Sequence, residues 1–255
     1  LIEGSAIYVI LIREIKKFLR ERSRLFSTVA RPLIWLFFVG GGMSKVVPMK
    51  GGVTYIQFFF PGILAMTVLF SSIFSAISII WDKEFGYMKE MLVAPVSRTS
   101  IVLGKTLSGT FVSTLQAVII LLLFPFLGFK LGVIGFLEAV AVSAFVAFCI
   151  SAIGIFIATF YESFESFSVI MNFIVMPMFF LSGAMYPVHS MPEILKIISR
   201  LNPLTYGVDA LKNVIFPGLS AGISADFPYM LDLSVLFLVS LSFVVLDTVS
   251  FRRRL

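Results

Sequence analysis

Residues 133–160 read VIGFLEAVAVSAFVAFCISAIGIFIATF. The run carries a single charge, Glu138, and its apolar residues are continuous rather than alternating. A helix that crosses hydrocarbon needs about 20 mostly apolar residues, because each residue advances it by only about 1.5 Å. A membrane β-strand would instead alternate apolar and polar positions. The stretch is therefore expected to be a spanning helix. Working outward from it, five further runs are expected to span: 26–42, interrupted by Arg31-Pro32, then 57–80, 101–128, 166–183 and 229–251.

The whole composition agrees with that stretch. Of 255 residues, 59% are hydrophobic and 13% charged, with mean hydropathy +1.04. Soluble domains are about 45–50% apolar and about 25% charged, so this excess must face lipid. A soluble enzyme, a disordered chain and a disulfide scaffold are excluded. One cysteine (Cys149) and one histidine (His189) leave no multi-cysteine or His-cluster metal site. The chain begins at Leu1 rather than Met, which points to a trimmed start, and no signal-peptide pattern is seen.

The net charge is +6 and the pI near 9.5. Lys and Arg crowd one side of the expected topology. Arg13, Lys16, Lys17, Arg20, Arg22, Arg24 and Arg31 precede or open the first span. Lys83, Lys89, Arg98 and Lys105 surround the loop between the second and third spans, and Arg252, Arg253 and Arg254 close the chain. Against these stand Lys45, Lys50, Lys130, Lys196, Arg200 and Lys212. The positive-inside rule then puts both termini in the cytoplasm of a multi-pass protein of the inner or plasma membrane. The basic charge is accounted for by anionic lipid headgroups, and no nucleic acid is expected.

Three segments are not plain spans. Before the first, Tyr8, Leu11, Ile12, Ile15, Phe18 and Leu19 recur every three or four residues, with Arg13, Lys16, Lys17 and Arg20 between them. That pattern is an amphipathic helix over 3–24 that lies in the membrane interface, as an anchor or as a docking surface. The loop over 81–100 carries charges of both signs, and Met88, Met91 and Leu92 form an apolar edge that Pro95 would end. The third segment, 184–228, is long. Ser190-Met-Pro-Glu193 reads as a cap and capping box, and Asn202-Pro203 repeats the cap-plus-proline start. Two short amphipathic helices are expected there, re-entrant or lying over the bundle on its outer face.

Candidate chemistry is sparse. Gly104-Lys105-Thr106 looks like the end of a phosphate-binding loop, but the glycine required five positions earlier is Thr99, so no nucleotide site is expected. No nucleophile elbow exists. Glu138, Asp232 and Asp247 are expected near span ends, in reach of headgroups or water, which argues against an ion-coupled carrier. His189, beside a cap, is expected to be a satisfied loop residue. Small and hydroxyl residues form stripes at Thr67, Ser71, Ser75 and Ser78, and at Ser143, Ala147, Ser151, Gly154 and Ala158. They read as close-packing faces, or for the first stripe as the wall of a substrate path. Asn172, Met176, Phe179 and Phe180, around Pro177, form a second candidate path surface.

Two stretches carry a family resemblance. Leu181-Ser-Gly-Ala-Met-Tyr-Pro187, Met191-Pro192, Leu195, Asn202-Pro-Leu-Thr-Tyr206 and Asp209-Ala-Leu-Lys212 resemble the signature of ABC-2 type transporter permeases, close to the daunorubicin-resistance, drug-exporter branch. Glu84, Gly86, Leu92, Pro95 and Ser97, followed by Gly104-Lys105, resemble that family's cytoplasmic loop, with Met91 where many members have Leu. The aromatic, glycine-rich end of the first span is less like the polysaccharide-exporting relatives.

The resemblance implies one all-α transmembrane domain over 1–255: an interface helix at 3–24, spans one to five within 26–183 with a coupling loop at 81–100, re-entrant outer helices at 184–228, and span six at 229–251. It implies two permease protomers and two separate ABC-type ATP-binding subunits, which bind the ATP and Mg; this chain holds no cofactor and no catalytic residue. By the same resemblance, Asp82, Glu84, Gly86, Lys89, Glu90, Leu92, Pro95 and Arg98 couple to the ATPase, and Arg13, Lys16, Lys17 and Arg20 belong to the interface helix. Thr67, Ser71, Ser75, Asn172, Met176, Phe179 and Phe180 line the path. Pro187, Pro192, Asn202, Pro203 and Tyr206 belong to the outer gate. The implied activity is drug-like or lipid efflux; export of a lipid-linked polysaccharide is the alternative, and an ion-coupled carrier a weaker one.

Overall fold

The protein is described by a computed structural model covering residues 3–46, 54–128, 131–217 and 225–254, without the side chains of residues 22–25, 28, 29, 127, 253 and 254. Lys50 and Lys130, weighed above for orientation, lie outside the described residues, as does 218–224 of the long outer segment. The side chains of Arg22, Arg24, Arg253 and Arg254 lie outside as well.

Every regular element among the described residues is helical. In chain order they are α1 (Gly4–Arg20), α2 (Arg22–Trp35), α3 (Gly41–Val46), α4 (Tyr55–Glu84), α5 (Tyr87–Val93), α6 (Arg98–Leu121), α7 (Val133–Thr159), α8 (Phe164–Phe180), α9 (Glu193–Leu201), α10 (Pro203–Ile215) and α11 (Tyr229–Arg254). A π-helical turn, Leu36–Gly40, joins α2 to α3.

Among the described residues, four helices are long and apolar enough to cross a membrane: Tyr55–Glu84, Arg98–Phe126, Val133–Thr159 and Tyr229–Arg252. They are the expected second, third, fourth and sixth spans. The expected fifth is α8, apolar but 17 residues long, or roughly 25 Å at the helical rise. The expected first falls in the α2–α3 stretch, interrupted by the π turn.

The arrangement follows from which faces are apolar. α4 packs on α6, α7, α8 and α10, and 83% of its apolar stretch is buried in the chain, against 17% for α11. α4 is therefore the central post and α11 a peripheral helix. Small residues let α4, α6 and α7 approach closely. A Cβ at Gly109 would stand 2.6 Å from Ser151 Oγ and 3.1 Å from Ser75 Oγ, and one at Gly154 would stand 3.1 Å from Ala76 Cβ. Ser72 Oγ closes the same layer, 3.0 Å from Ser113 Oγ and 3.3 Å from the Ala147 carbonyl.

Three local expectations are corrected. The helix expected over 3–24 breaks at Glu21, whose N–H bonds back to the Phe18 carbonyl. Ser190 does not cap α9: its hydroxyl donates to the Pro187 carbonyl at 2.7 Å inside the turn Val188–Ser190, and Pro192 precedes the helix without a side-chain cap. Asp232 and Asp247 do not reach headgroups or water. Both are fully buried, because the faces of α11 that carry them turn inward; Asp232 accepts from Asn213 Nδ2 at 3.3 Å, and among the described residues neither oxygen of Asp247 has a hydrogen-bond partner. Glu138 is exposed.

Candidate functional site

Two regions gather the polar residues, one at each end of the bundle. At the first end, α4 runs to Glu84 and the chain reverses through Gly86, at φ +82°, a conformation glycine adopts without a Cβ clash. The seven-residue α5 follows, Pro95 lies beyond it, and Ser97 caps α6 by accepting from the Ser100 N–H at 3.2 Å. Met88 is buried and seats α5; Met91 and Leu92 are half-buried beside it. Glu84, Phe85, Tyr87, Lys89, Glu90, Val93 and Pro95 face outward, so the loop presents apolar and charged side chains on one projection. Arg98 donates to the Leu92 carbonyl at 3.4 Å, tying the far end of α5 to α6. Lys83 Nζ reaches the carbonyls of Ala158, Thr159 and Tyr161 at 3.2, 2.8 and 3.1 Å. These carbonyls lie at the C-terminal end of α7, where a cation is favoured.

α1 lies across the same end. Its N-terminus is pinned where the Glu3 N–H donates to Ser100 Oγ at 2.8 Å, and Ile10 packs on Gly104. Lys17 Nζ sits 3.9 Å above the Trp81 ring, a cation–π contact, while Lys16 and Arg20 are exposed. Between α1, α4 and α6 lies a buried ion cluster. Arg13 Nη2 meets Asp82 Oδ2 at 2.7 Å and Glu14 Oε1 at 2.9 Å. Lys105 Nζ meets Glu14 Oε1 at 2.7 Å, Ser78 Oγ at 3.1 Å and the Asp82 carboxylate. Burial works to raise the Glu14 pKa, but the Lys105 and Arg13 charges outweigh it and hold the carboxyl at about 2. Sequence reading placed Arg13 and Asp82 at this end but missed Glu14 and Lys105 as their partners. From the sequence Lys105 reads as a cytoplasmic-side cation, as part of the Gly104-Lys105 family match and as a rejected phosphate-loop lysine, not as the centre of an ion cluster. The available signal was local: a lysine inside an apolar run must find a counter-charge.

The expected path residues are not brought onto one surface. Thr67 and Ser71 are buried inside the bundle, Thr67 bonding the Ile63 carbonyl of its own helix at 2.9 Å, and Ser75 is half-buried in the α4–α6–α7 layer. The stripe faces inward because α4 is the central post. Asn172 is exposed on α8 and bonds the Ser168 carbonyl at 2.9 Å; Met176 and Phe180 are also exposed, and Phe179 is buried. A narrow apolar groove runs between α4 and α8, lined by Phe70, Ile73, Phe74, Ile77, Met171 and Asn172 among others. Trp35 meets Phe179 and Phe180 edge-on, with ring centroids 5.9 and 6.4 Å apart.

At the opposite end, Asn202 caps α10 by accepting from the Leu204 N–H at 3.0 Å, and its amide donates to the Met178 carbonyl at 2.7 Å. Tyr206 bonds the Arg200 carbonyl at 2.8 Å, and Tyr55 of α4 bonds the Met185 carbonyl at 2.8 Å. Asp209 accepts from the N–H groups of Asp226 and Phe227 at 2.7 and 2.8 Å; Asp226 in turn lies 2.7 Å from His189 Nδ1. Lys212 is buried, donating to the Gly183 carbonyl at 2.8 Å. Asn202, Pro203 and Tyr206 thus lie in one knot with the 181–187 turn, where Pro187 is half-buried, and Pro192 is exposed beside it.

These two ends can be set beside known proteins. The family model for ABC-2 type transporters matches residues 5–216, which spans both ends and every helix from α1 to α10. The chain belongs to the ABC-2 type transporter family. Among its relatives, the transport permease ycf38 of Cyanophora paradoxa is 32% identical over 213 residues, covering 81% of this chain and 72% of that protein. Nodulation protein J of Rhizobium leguminosarum bv. trifolii is 26% identical over 193 residues, covering 75% of this chain and 73% of that protein. An ABC-2 permease is an integral membrane subunit of a transporter, and the family implies an ABC ATP-binding partner.

Proposed function

We propose that this chain is the permease subunit of an ATP-driven exporter that moves hydrophobic or amphiphilic compounds, drug-like or lipid, outward across the inner or plasma membrane. Two such protomers pair, and two ABC-type ATP-binding subunits, carrying ATP and Mg, dock at the α5 end, which faces the cytoplasm with both termini. The observation that carries this reading is the exposed α5 projection. Its root is held by buried Met88, and Glu84, Lys89 and Glu90 are exposed together with Phe85, Tyr87 and Val93. A partner that grips this projection moves α4 and α6 with it. The apolar groove between α4 and α8, with one amide at Asn172, supports an amphiphile as substrate. The knot around Asn202, Pro203 and Tyr206 closes the exit.

Export of a lipid-linked polysaccharide is the second reading, which an exposed aromatic face such as that of Phe180 would serve. The test is co-reconstitution of the permease with its neighbouring ATP-binding subunit in vesicles. ATP, and not a proton gradient, is expected to drive transport, and the combined change Glu84→Ala and Glu90→Ala is expected to lower transport at least tenfold with the protein still folded. Proton-driven transport without ATP, or full activity of that variant, would overturn the proposal. Supplying a fluorescent amphiphile and a lipid-linked sugar separately distinguishes the two substrate classes.

A further inference from the structure

The ion cluster at the α5 end joins three helices through a residue no partner can touch. Lys105 is buried on α6, yet its ammonium reaches Glu14 of α1 and both Ser78 and Asp82 of α4. The side chains of Lys105, Asp82 and Glu14 are 2%, 8% and 9% exposed, and only Arg13 opens to the outside, at 42%. Two cations face two carboxylates, so the charges cancel only while all three helices keep this alignment.

That is unlike an apolar contact. Apolar helix faces repack with small losses when they slide, whereas a buried charge parted from its partner is left without water to replace it. Buried ion pairs add little stability over apolar residues of the same volume, and their best-attested use is to fix one registry. Here that registry is between an interface helix and two spans. The surrounding contacts have the same alignment: Glu3 on Ser100, Ile10 on Gly104 and Lys17 on Trp81 all set α1 against α4 and α6.

We propose that Lys105 is the positioning residue of a latch that makes α1, α4 and α6 one rigid body, so that a displacement of α1 is delivered to both spans. The inference rests on the reading of the chain as an ATP-driven permease. Lys105 acts through Glu14 and Asp82 and contacts neither substrate nor ATPase.

Two measurements test it in the permease assembled with its ATP-binding subunits in lipid nanodiscs and vesicles. The first is pulsed dipolar spectroscopy between spin labels at Tyr8→Cys on α1 and Phe111→Cys on α6, both exposed positions; the native Cys149 is buried. The unaltered background is expected to give one narrow distance, the same with and without ATP. The pair Lys105→Met with Glu14→Gln, which removes one charge of each sign and leaves Arg13 with Asp82, is expected to broaden it.

The second measurement is transport per ATP hydrolysed, which should fall about tenfold in that pair at unchanged complex yield. A disulfide between Ile10→Cys and Gly104→Cys, where a built Cβ lies 3.1 Å from Ile10 Cβ, should restore it. An unbroadened distance in the pair, an ATP-dependent α1–α6 distance in the unaltered chain, or unchanged transport per ATP would overturn the latch. If ATP-binding subunits do not bind at all, the permease reading fails instead, and the nucleotide-free distance distribution still decides whether Lys105 holds α1 to α6.

Discussion

Gly62 of α4 lies against Ala184 of the outer turn so closely that a Cβ built on it would stand 2.6 Å from Ala184 Cβ and 2.9 Å from the Ala184 carbonyl oxygen. Part of that obstacle is backbone, and the backbone is held: Gly183 is at φ +77°, and Tyr55 bonds the next carbonyl, of Met185. The turn cannot retreat without breaking those restraints. Gly62→Ala is therefore expected to destabilise the protein by about 1–3 kcal/mol, the usual cost of overpacking. Thermal unfolding in detergent checks this, and an unchanged midpoint would mean that the turn yields.

Glu14 gives the α1 contact a pH dependence. Its carboxyl is held at about 2 in the fold against an ordinary value of 4.5. A depressed folded-state pKa contributes stability that is fully present above the unfolded value and disappears as pH falls through the folded one. The α1 docking is thus expected to be constant above about pH 5 and to weaken between about pH 4.5 and 2, by a total of about 3 kcal/mol. Hydrogen exchange of the α1 amides against pH measures it. Glu14→Gln should flatten the dependence in that window; an unchanged profile in this variant would assign it to other carboxylates.

What was legible in the sequence was local. Apolar run length marked α4, α6, α7 and α11, and Asn202-Pro203 marked the start of α10, because caps and spans are written in consecutive residues. Rotation about a helix axis is not. It is set by neighbours distant in the chain, so Asp232 and Asp247, whose places near span ends put them in reach of headgroups or water by sequence, are buried, and the stripe with Thr67 and Ser71, readable as a close-packing face or as a path wall, faces the interior. Glu14 and Lys105 are 91 residues apart, and nothing near either announces the other. In the sequence Lys105 stands among the cytoplasmic-side cations, within the Gly104-Lys105 family match and in a phosphate-loop likeness that Thr99 breaks, and none of these points to Glu14.

Asp209 tests the knot at the α9–α10 end. Its two oxygens take the N–H groups of Asp226 and Phe227, and removing the carboxylate strands two donors in a partly buried place. Asp209→Ala should cost about 1–3 kcal/mol and sharply increase exchange at those two amides. Asp209→Asn keeps one acceptor and should fall between. Equal protection of both amides in Asp209→Ala would show that the segment is held elsewhere.

The crossings of α6, α7 and α8 can be read from four exposed glutamates. Glu84 and Glu138 flank α6, Glu165 follows α7, and Glu193 follows α8. Cys149 is buried, so single cysteines at these positions can be labelled without removing it. If the basic residues around α1 and α5 hold that end in the cytoplasm, a membrane-impermeant maleimide added to intact cells should label Glu138→Cys and Glu193→Cys and leave Glu84→Cys and Glu165→Cys unlabelled. Inside-out vesicles should reverse the pattern. The decisive pair is Glu165 and Glu193, because α8 has only 17 residues between its ends, short of the about 20 that a crossing usually takes. Opposite labelling of that pair means that α8 crosses, by local thinning of the bilayer or with help from the 181–187 turn. Labelling from the same side would make α8 re-entrant, and the six-span topology would fall while the α4–α6–α7 core stands.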